Sequence, residues 1–322
     1  MDNRDIKLSS IPLNKNPGNY HADENLLRAV ELAIALNKPL LISGEPGTGK
    51  TQLAHFVAWK LNQQTTGKPN AFLDEPLVFN TKSSSNATDL FYYYDAVSHF
   101  RTKDPNCETA QFIELRALGQ AIALRHGKGN PEVKKLDSFR KIKGIHEEPQ
   151  SSVVLIDEID KAPRDFPNDL LNEIENGEFD IRELNLPVRE PKNDSRIVLI
   201  MTSNSEKNLP NAFLRRCVYY NIPFPDEEKL AIIVTQRLLT GDNTYDAAIA
   251  NAIKKFQEYR NQSINKKPAT SEFLEWISVL KHYGILNTDT FSANGNGKSA
   301  ELYKSSLNVL FKHKEDLEKV TR

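Results

Sequence analysis

The stretch KPLLISGEPGTGKTQLA, residues 38–54, decides how the rest of the chain is read. Leu40–Ser43 is a short, continuous apolar run, the pattern of a strand buried on both faces. Gly44-Glu45-Pro46-Gly47-Thr48-Gly49-Lys50-Thr51 satisfies G-x-x-x-x-G-K-[ST] at every position. Thr51–Leu61 then carries helical periodicity, and Gln52 falls in its first turn. A strand, a glycine loop and a helix in that order make a phosphate cradle. Glycines let successive backbone N–H groups turn inward, and the helix N-terminus adds partial positive charge. In this reading Gly44–Gly49 and Gln52 border the phosphates, Lys50 reaches the terminal ones, and the Thr51 hydroxyl ligates Mg²⁺.

Four more runs share the buried-strand pattern: Leu77–Asn80, Val153–Ile156, Ile197–Thr202 and Val218–Ile222. Helical patterns at Glu24–Leu36, Thr51–Leu61 and Asn168–Glu175 separate several of them, so residues 1–225 read as an α/β domain. After Pro223 and Pro225 the strand signal stops. Glu227–Leu239, Tyr245–Arg260, Ser271–His282 and Ala300–Val320 read as helices of a small all-α domain, 226–322. Asn287–Ser299 reads as a loop inside it. Trp59 and Trp276 fall on apolar helical faces and are expected in cores.

Three further pieces bear on chemistry. Val153–Ile156 runs into Asp157 and Glu158, an apolar strand ending in paired acids. Asp157 is suited to the Mg²⁺ shell and Glu158 to orienting and deprotonating an attacking water. Ile197–Thr202 leads to Ser203 and Asn204; that Asn either positions the same water or opens an ordinary turn. Arg215 and Arg216 follow a short apolar turn, and form either a solvated helix end or an arginine finger for a transferring phosphoryl group. Together these favour nucleoside triphosphate hydrolysis, of ATP or GTP.

Composition bounds the setting. The chain has 322 residues, 39% hydrophobic and 26% charged, with 42 basic against 43 acidic side chains. That supports a sizeable core and supplies no global field for nucleic acid or anionic membrane. Cys107 and Cys217 cannot build a disulfide scaffold or a zinc knuckle. The polar start MDNRDIKLSS is unlike a leader segment, and no apolar run approaches the roughly 20 residues of a membrane span. A cytoplasmic protein is expected.

The order LISGEPGTGKTQLA, VVLIDEIDKAPRDFPNDLLNEIENGEF, RIVLIMTSN and LPNAFLRRC resembles an AAA+ ATPase through most of residues 20–225. Its details resemble the MoxR-like branch, which carries an insert in its second helix. The resemblance implies a P-loop core with a five-stranded parallel sheet, followed by an α-helical lid. It implies ATP and Mg²⁺ as cofactors, Lys50 and Thr51 as the Walker A pair, Asp157 and Glu158 as the Walker B pair, and Asn204 as sensor 1. Arg216, with Arg215 as the second choice, matches the arginine finger, which completes a neighbour's site in a homo-oligomeric, commonly hexameric, ring. Gly177–Arg196 becomes the hairpin before sensor 1, and Tyr20 and His21 border the adenine. Partners in this branch are often proteins with a von Willebrand factor A domain.

Two departures stand out. Asp157 follows Lys50 by 107 residues, whereas two strand–helix units need roughly 60. The surplus of roughly 40 is assigned to an insert at about 83–150. It contains Phe91-Tyr92-Tyr93-Tyr94, read as packing or as a pore-facing surface. It also contains the basic run Lys128–Lys143, read as a solvated loop or a phosphate-backbone contact. Secondly, Glu272 stands where the branch carries its sensor 2 arginine, with Lys266 and Lys267 as nearby substitutes. The favoured function is an Mg·ATP-dependent chaperone or remodelling ATPase acting on a partner protein. The alternatives are an ATP-switched assembly module with slow hydrolysis, and a DNA-acting motor subunit of a nuclease or defence complex.

Overall fold

A computed structural model describes residues 11, 16–102, 104, 106–127, 148–167, 169–170, 174, 178–189, 191–204, 209–239, 243–291 and 298–321. The basic run Lys128–Lys143 and most of Asn168–Glu175 lie outside the described residues. The chain packs into two compact units. One comprises residues 22–44 and 50–222; the other comprises 1–21, 45–49 and 223–322.

The first unit is built on five parallel strands: β1 (Leu40–Gly44), β2 (Leu77–Asn80), β5 (Ser152–Asp157), β8 (Ile197–Ser203) and β9 (Val218–Ile222). Their order across the sheet is β2-β5-β8-β1-β9. All five apolar runs become strands: the three central ones, β1, β5 and β8, are buried on both faces, whereas the edge strands β2 and β9 alternate half-buried with exposed residues. Leu40, Ile42 and Val153–Ile156 have no exposed surface at all. Helix α1 (Glu24–Leu36) starts where Asp23 Oδ1 accepts the Leu26 N–H at 2.9 Å, and stops at Asn37 in the left-handed region. It packs on β9 and β1, while α2 (Lys50–Thr65) packs on β5, β1 and β8. Trp59 is only half-buried, against Phe56: α2 lies with Leu53, Ala54, Val57 and Ala58 toward the core, leaving the tryptophan at its border.

Between β2 and β5 the insert forms a two-stranded antiparallel pair, β3 (Tyr92–Tyr94) with β4 (Ile113–Leu115), flanking α3 (Ala96–Arg101) and leading into α4 (Ala117–Leu124). Phe91 and Tyr92 are buried, and Phe91 stacks on Phe179 at 5.0 Å. Tyr93 remains 47% exposed. Phe179 belongs to the hairpin β6 (Glu178–Ile181) and β7 (Leu186–Arg189), so insert and hairpin share one core. Helix α4 approaches the Phe91 carbonyl so closely that a Cβ on Gly119 would lie 2.0 Å from that oxygen.

The second unit is helical. Its described elements from Pro223 onward are α5–α9 (Glu227–Val234, Asp246–Gln262, Thr270–His282, Lys298–Ser306 and Lys314–Thr321), with short 3₁₀ or π turns between them. Trp276, Phe273 and Phe256 sit at full burial in its core, and Trp276 Nε1 donates to Ser306 Oγ at 2.8 Å. The single helix expected over Ala300–Val320 is broken by a turn at Leu307–Val309. Leu307, Leu310 and Phe311 are buried there, and the redirected chain brings the Asp316 carboxylate under the N–H groups of Ile264, Asn265 and Lys266. Those three bonds exceed what a straight, solvent-facing helix offers. They hold the Asp316 carboxyl below the usual carboxylate range, against the opposing effect of burial.

Candidate nucleotide site

In the first unit, the carboxyl ends of β5 and β8 place four polar side chains in one hydrogen-bonded set. The Thr51 hydroxyl, in the first turn of α2, lies 3.1 and 3.3 Å from the two Asp157 carboxylate oxygens. Thr202, fully buried, donates its hydroxyl to Asp157 Oδ1 and accepts the Glu158 backbone N–H at 2.8 Å. Asn204 Nδ2 donates to Glu158 Oε1 at 2.9 Å, and Lys161 Nζ pairs with Glu158 Oε2. Asp160, 2% exposed, accepts weakly from the Asn204 N–H at 3.4 Å.

Glu158 adopts φ 56°, ψ 52°, the left-handed region that a residue with a Cβ enters at a cost on the order of 1 kcal/mol. The bond to Thr202 and the Lys161 N–H to Glu158 carbonyl bond, 2.9 Å, hold it there. The turn swings the Glu158 side chain away from the strand line toward Asn204. Lys50, 6% exposed, donates from Nζ to the Gly44 carbonyl at 2.8 Å. Burial pushes its ammonium below the ordinary lysine value, while Asp157, Asp160 and Glu158 pull it back up.

The loop itself has the required backbone. Gly47 and Gly49 have φ of 77° and 87°, and the Thr48 hydroxyl donates to the Glu45 carbonyl at 2.8 Å. A Cβ on Gly49 would lie 3.1 Å from the Tyr20 ring. Gln52 is half-buried in the first turn of α2.

This donor set fits Mg·ATP. A lysine ammonium and glycine-loop amides suit phosphate oxygens, and a threonine hydroxyl beside a carboxylate is the hard-oxygen pair that Mg²⁺ takes. Gly44 and Lys50 would meet the phosphates, with Thr51 and Asp157 at the metal.

Arg215 and Arg216 are placed elsewhere. They follow the short helical turn Asn211–Leu214 and precede β9, with Arg215 exposed and Arg216 half-buried. Leu40 pairs with Val218 and Gly44 with Ile222, so these arginines sit at the amino end of the parallel sheet. Five residues of strand, roughly 16 Å, separate that end from the carboxyl end of β1 at Gly44. In the second unit, the Glu272 carboxylate accepts the Ala269 N–H at 2.7 Å, capping its own helix, and pairs with Lys266 Nζ at 3.0 Å.

Thr202, Asp160 and Lys161 were not singled out by sequence reasoning. Thr202 reads as the last residue of an apolar strand. Its only signal is a hydroxyl in a run otherwise built of Ile, Val, Leu and Met.

Residues 39–217 match the AAA domain (dynein-related subfamily). That is more than half of the chain, and the chain belongs to this family. AAA+ proteins are generally ATPases that bind ATP with Mg²⁺, and they commonly form oligomeric rings. No curated protein matches the chain. Among solved structures, a single-residue variant of RuvB from Thermotoga maritima aligns at 15% identity and a TM-score of 0.41, covering 89% of this chain and 67% of that one. Among the described residues, no helix is long and apolar enough to cross a membrane.

Proposed function

We propose that this chain is a MoxR-like, Mg·ATP-hydrolysing AAA+ protein that works as a ring and remodels a partner protein. The observation that carries the proposal is the set joining Thr51, Asp157, Thr202, Glu158 and Asn204 at the ends of two adjacent strands. Lys50 and the loop amides bind the phosphates, and Thr51 and Asp157 hold the metal. Bound Mg·ATP supplies the phosphoanhydride bond to be broken and a metal charge that offsets the charge of the phosphates. Glu158 Oε accepts the proton of the attacking water, and Asn204 fixes the direction of that carboxylate. Arg216 serves a neighbouring subunit, because its own Asp157 and Glu158 are at the far end of the sheet. A partner with a von Willebrand factor A domain suits the MoxR-like reading.

A second reading keeps ATP binding and makes hydrolysis slow, so that the nucleotide switches an assembly. It is supported by the Glu158 carboxylate, both of whose oxygens are engaged, one by Asn204 and one by Lys161.

The test is ATPase rate per subunit against protein concentration, with mass measured with and without ATP, for wild type and Lys50→Ala. The remodelling-ring reading expects ATP-dependent assembly and a rate that rises with concentration, both lost in Lys50→Ala. A slow, flat rate in a wild-type protein that nevertheless assembles with ATP moves the switch ahead. Nucleotide binding undiminished in Lys50→Ala would sink both.

A further inference from the structure

Within the second unit, the loop 45–49 meets an arginine that no part of the reading above uses. Arg260 lies near the end of α6 (Asp246–Gln262) and is 8% exposed. Its guanidinium stacks over the Phe224 ring, 3.5 Å from the centroid. Nη1 donates to the Pro268 carbonyl, and Nη2 donates to Glu45 Oε2 at 3.0 Å. A buried cation costs several kcal/mol unless it is paired, and the planar guanidinium suits one stacked face with two directed bonds. Glu45 is its only charged partner among the described ion pairs, and its side chain is half exposed.

The segment after Pro268 closes on the same loop. A Cβ on Gly47 would stand 2.5 Å from Ser271 Oγ and 2.9 Å from Ala269 Cβ, so at that point only glycine fits. The loop is therefore held at two places, by packing at Gly47 and by charge at Glu45.

Glu45 poses an electrostatic problem. A carboxylate in a loop that cradles polyphosphate repels its ligand. We propose that Arg260 is a positioning residue for nucleotide binding: it neutralises Glu45 and ties the loop to residues 268–271, without itself touching the nucleotide. This rests on the nucleotide-binding reading above.

The test titrates the full chain with a fluorescent ATP analogue, with Mg²⁺ and with EDTA, and records Tm of the ligand-free protein. R260Q should weaken binding by about 5- to 10-fold, the half-exposed carboxylate being partly screened by water. E45Q removes the repelling charge and should bind about 2- to 3-fold tighter, with a lower ligand-free Tm because Arg260 is left buried without its charged partner. The double variant E45Q/R260Q should recover to within about 3-fold of wild type, since the repelling charge has gone with its neutraliser. Recovery on removing a second group is what a merely structural role does not produce. R260Q binding like wild type, E45Q binding more weakly, or a double variant as weak as R260Q would each overturn the inference. Should R260Q fail to fold, R260K carries the test; it keeps the charge, loses the forked geometry, and is expected about 2- to 3-fold weaker, while equality with wild type counts against the idea. No binding by wild-type protein would instead break the nucleotide reading, and this inference with it.

Discussion

The two ends of the parallel sheet carry different chemistry. At the carboxyl ends of β5 and β8, beside the first turn of α2, Thr51, Asp157, Thr202, Glu158 and Asn204 are joined by bonds of 3.3 Å or less. At the amino end of β9 stand Arg215 and Arg216, on a short turn with no part in that set of bonds. Parallel pairing enforces the separation, because every strand that delivers an acid at one end begins at the other. One end gathers the paired acids with a hydroxyl and an amide; the other carries two arginines a strand's length away. On the ring reading proposed above, Arg216 would meet the site of a neighbouring copy.

The comparison breaks most sharply at Glu158. Glu158→Gln keeps the shape and the bond to Asn204 but removes the base, so turnover should fall by about 10²- to 10⁴-fold while nucleotide stays bound. Turnover is checked under single-turnover conditions, and binding by nucleotide retained on gel filtration; turnover at the wild-type level would remove Glu158 from the role.

The far end is tested by complementation. Arg216→Ala should lower turnover by about 10³-fold, the lower end for an arginine finger, and Arg215→Ala much less. Mixing Arg216→Ala with Lys50→Ala subunits should restore part of the rate, since each supplies what its neighbour lacks. A mixture as inactive as its components would argue against a shared site.

Thr202→Val sharpens the comparison at smaller amplitude. It leaves the part-buried Glu158 N–H without its acceptor, a loss of about 1 kcal/mol, the low end for such a group. Thermal unfolding should fall by a few degrees, at roughly 2–4 °C per kcal/mol for a unit of this size. An unchanged Tm would show that the left-handed turn at Glu158 does not depend on the hydroxyl.

The smallest expected effect lies in the helical unit. Asp316 has its carboxyl held below the ordinary range by the backbone N–H groups of Ile264, Lys266 and Asn265. Its contribution to stability is present above the unfolded carboxylate value, about 3.9, and is lost as pH falls through the lower native value. Asp316→Asn should therefore have a lower Tm than wild type at pH 7, with the gap closing as the pH drops below about 4. A gap independent of pH would mean that shape, not charge, sets the role of this residue.

The centre of the sheet was legible because β1, β5 and β8 are buried on both faces, and short continuous runs such as Val153–Ile156, bounded by polar residues, fit that pattern. The phosphate loop was legible because its chemistry is local: eight consecutive residues supply the amides, the ammonium and the hydroxyl. Helix ends were read less well, since Ala300–Val320 has helical periodicity throughout and the break at Leu307–Val309 answers to core packing and to Asp316, over 50 residues from the loop it satisfies. Thr202 was missed for a related reason. A hydroxyl at the end of a strand becomes a relay only when Asp157 and Glu158 arrive beside it from another strand.

What the sequence determined by itself was therefore the set of strands and the inventory of reactive groups, because both follow from short-range pattern. What only the tertiary structure decided was which groups meet. The register of β5 against β8 joins Thr202 and Asn204 to the paired acids, and the register of β1 against β9 sends Arg216 to the opposite end. The fold of the second unit sets Arg260 against Glu45, 215 residues away in sequence. Distances of that kind are fixed by pairing and packing between segments remote in the chain, and no local pattern encodes them.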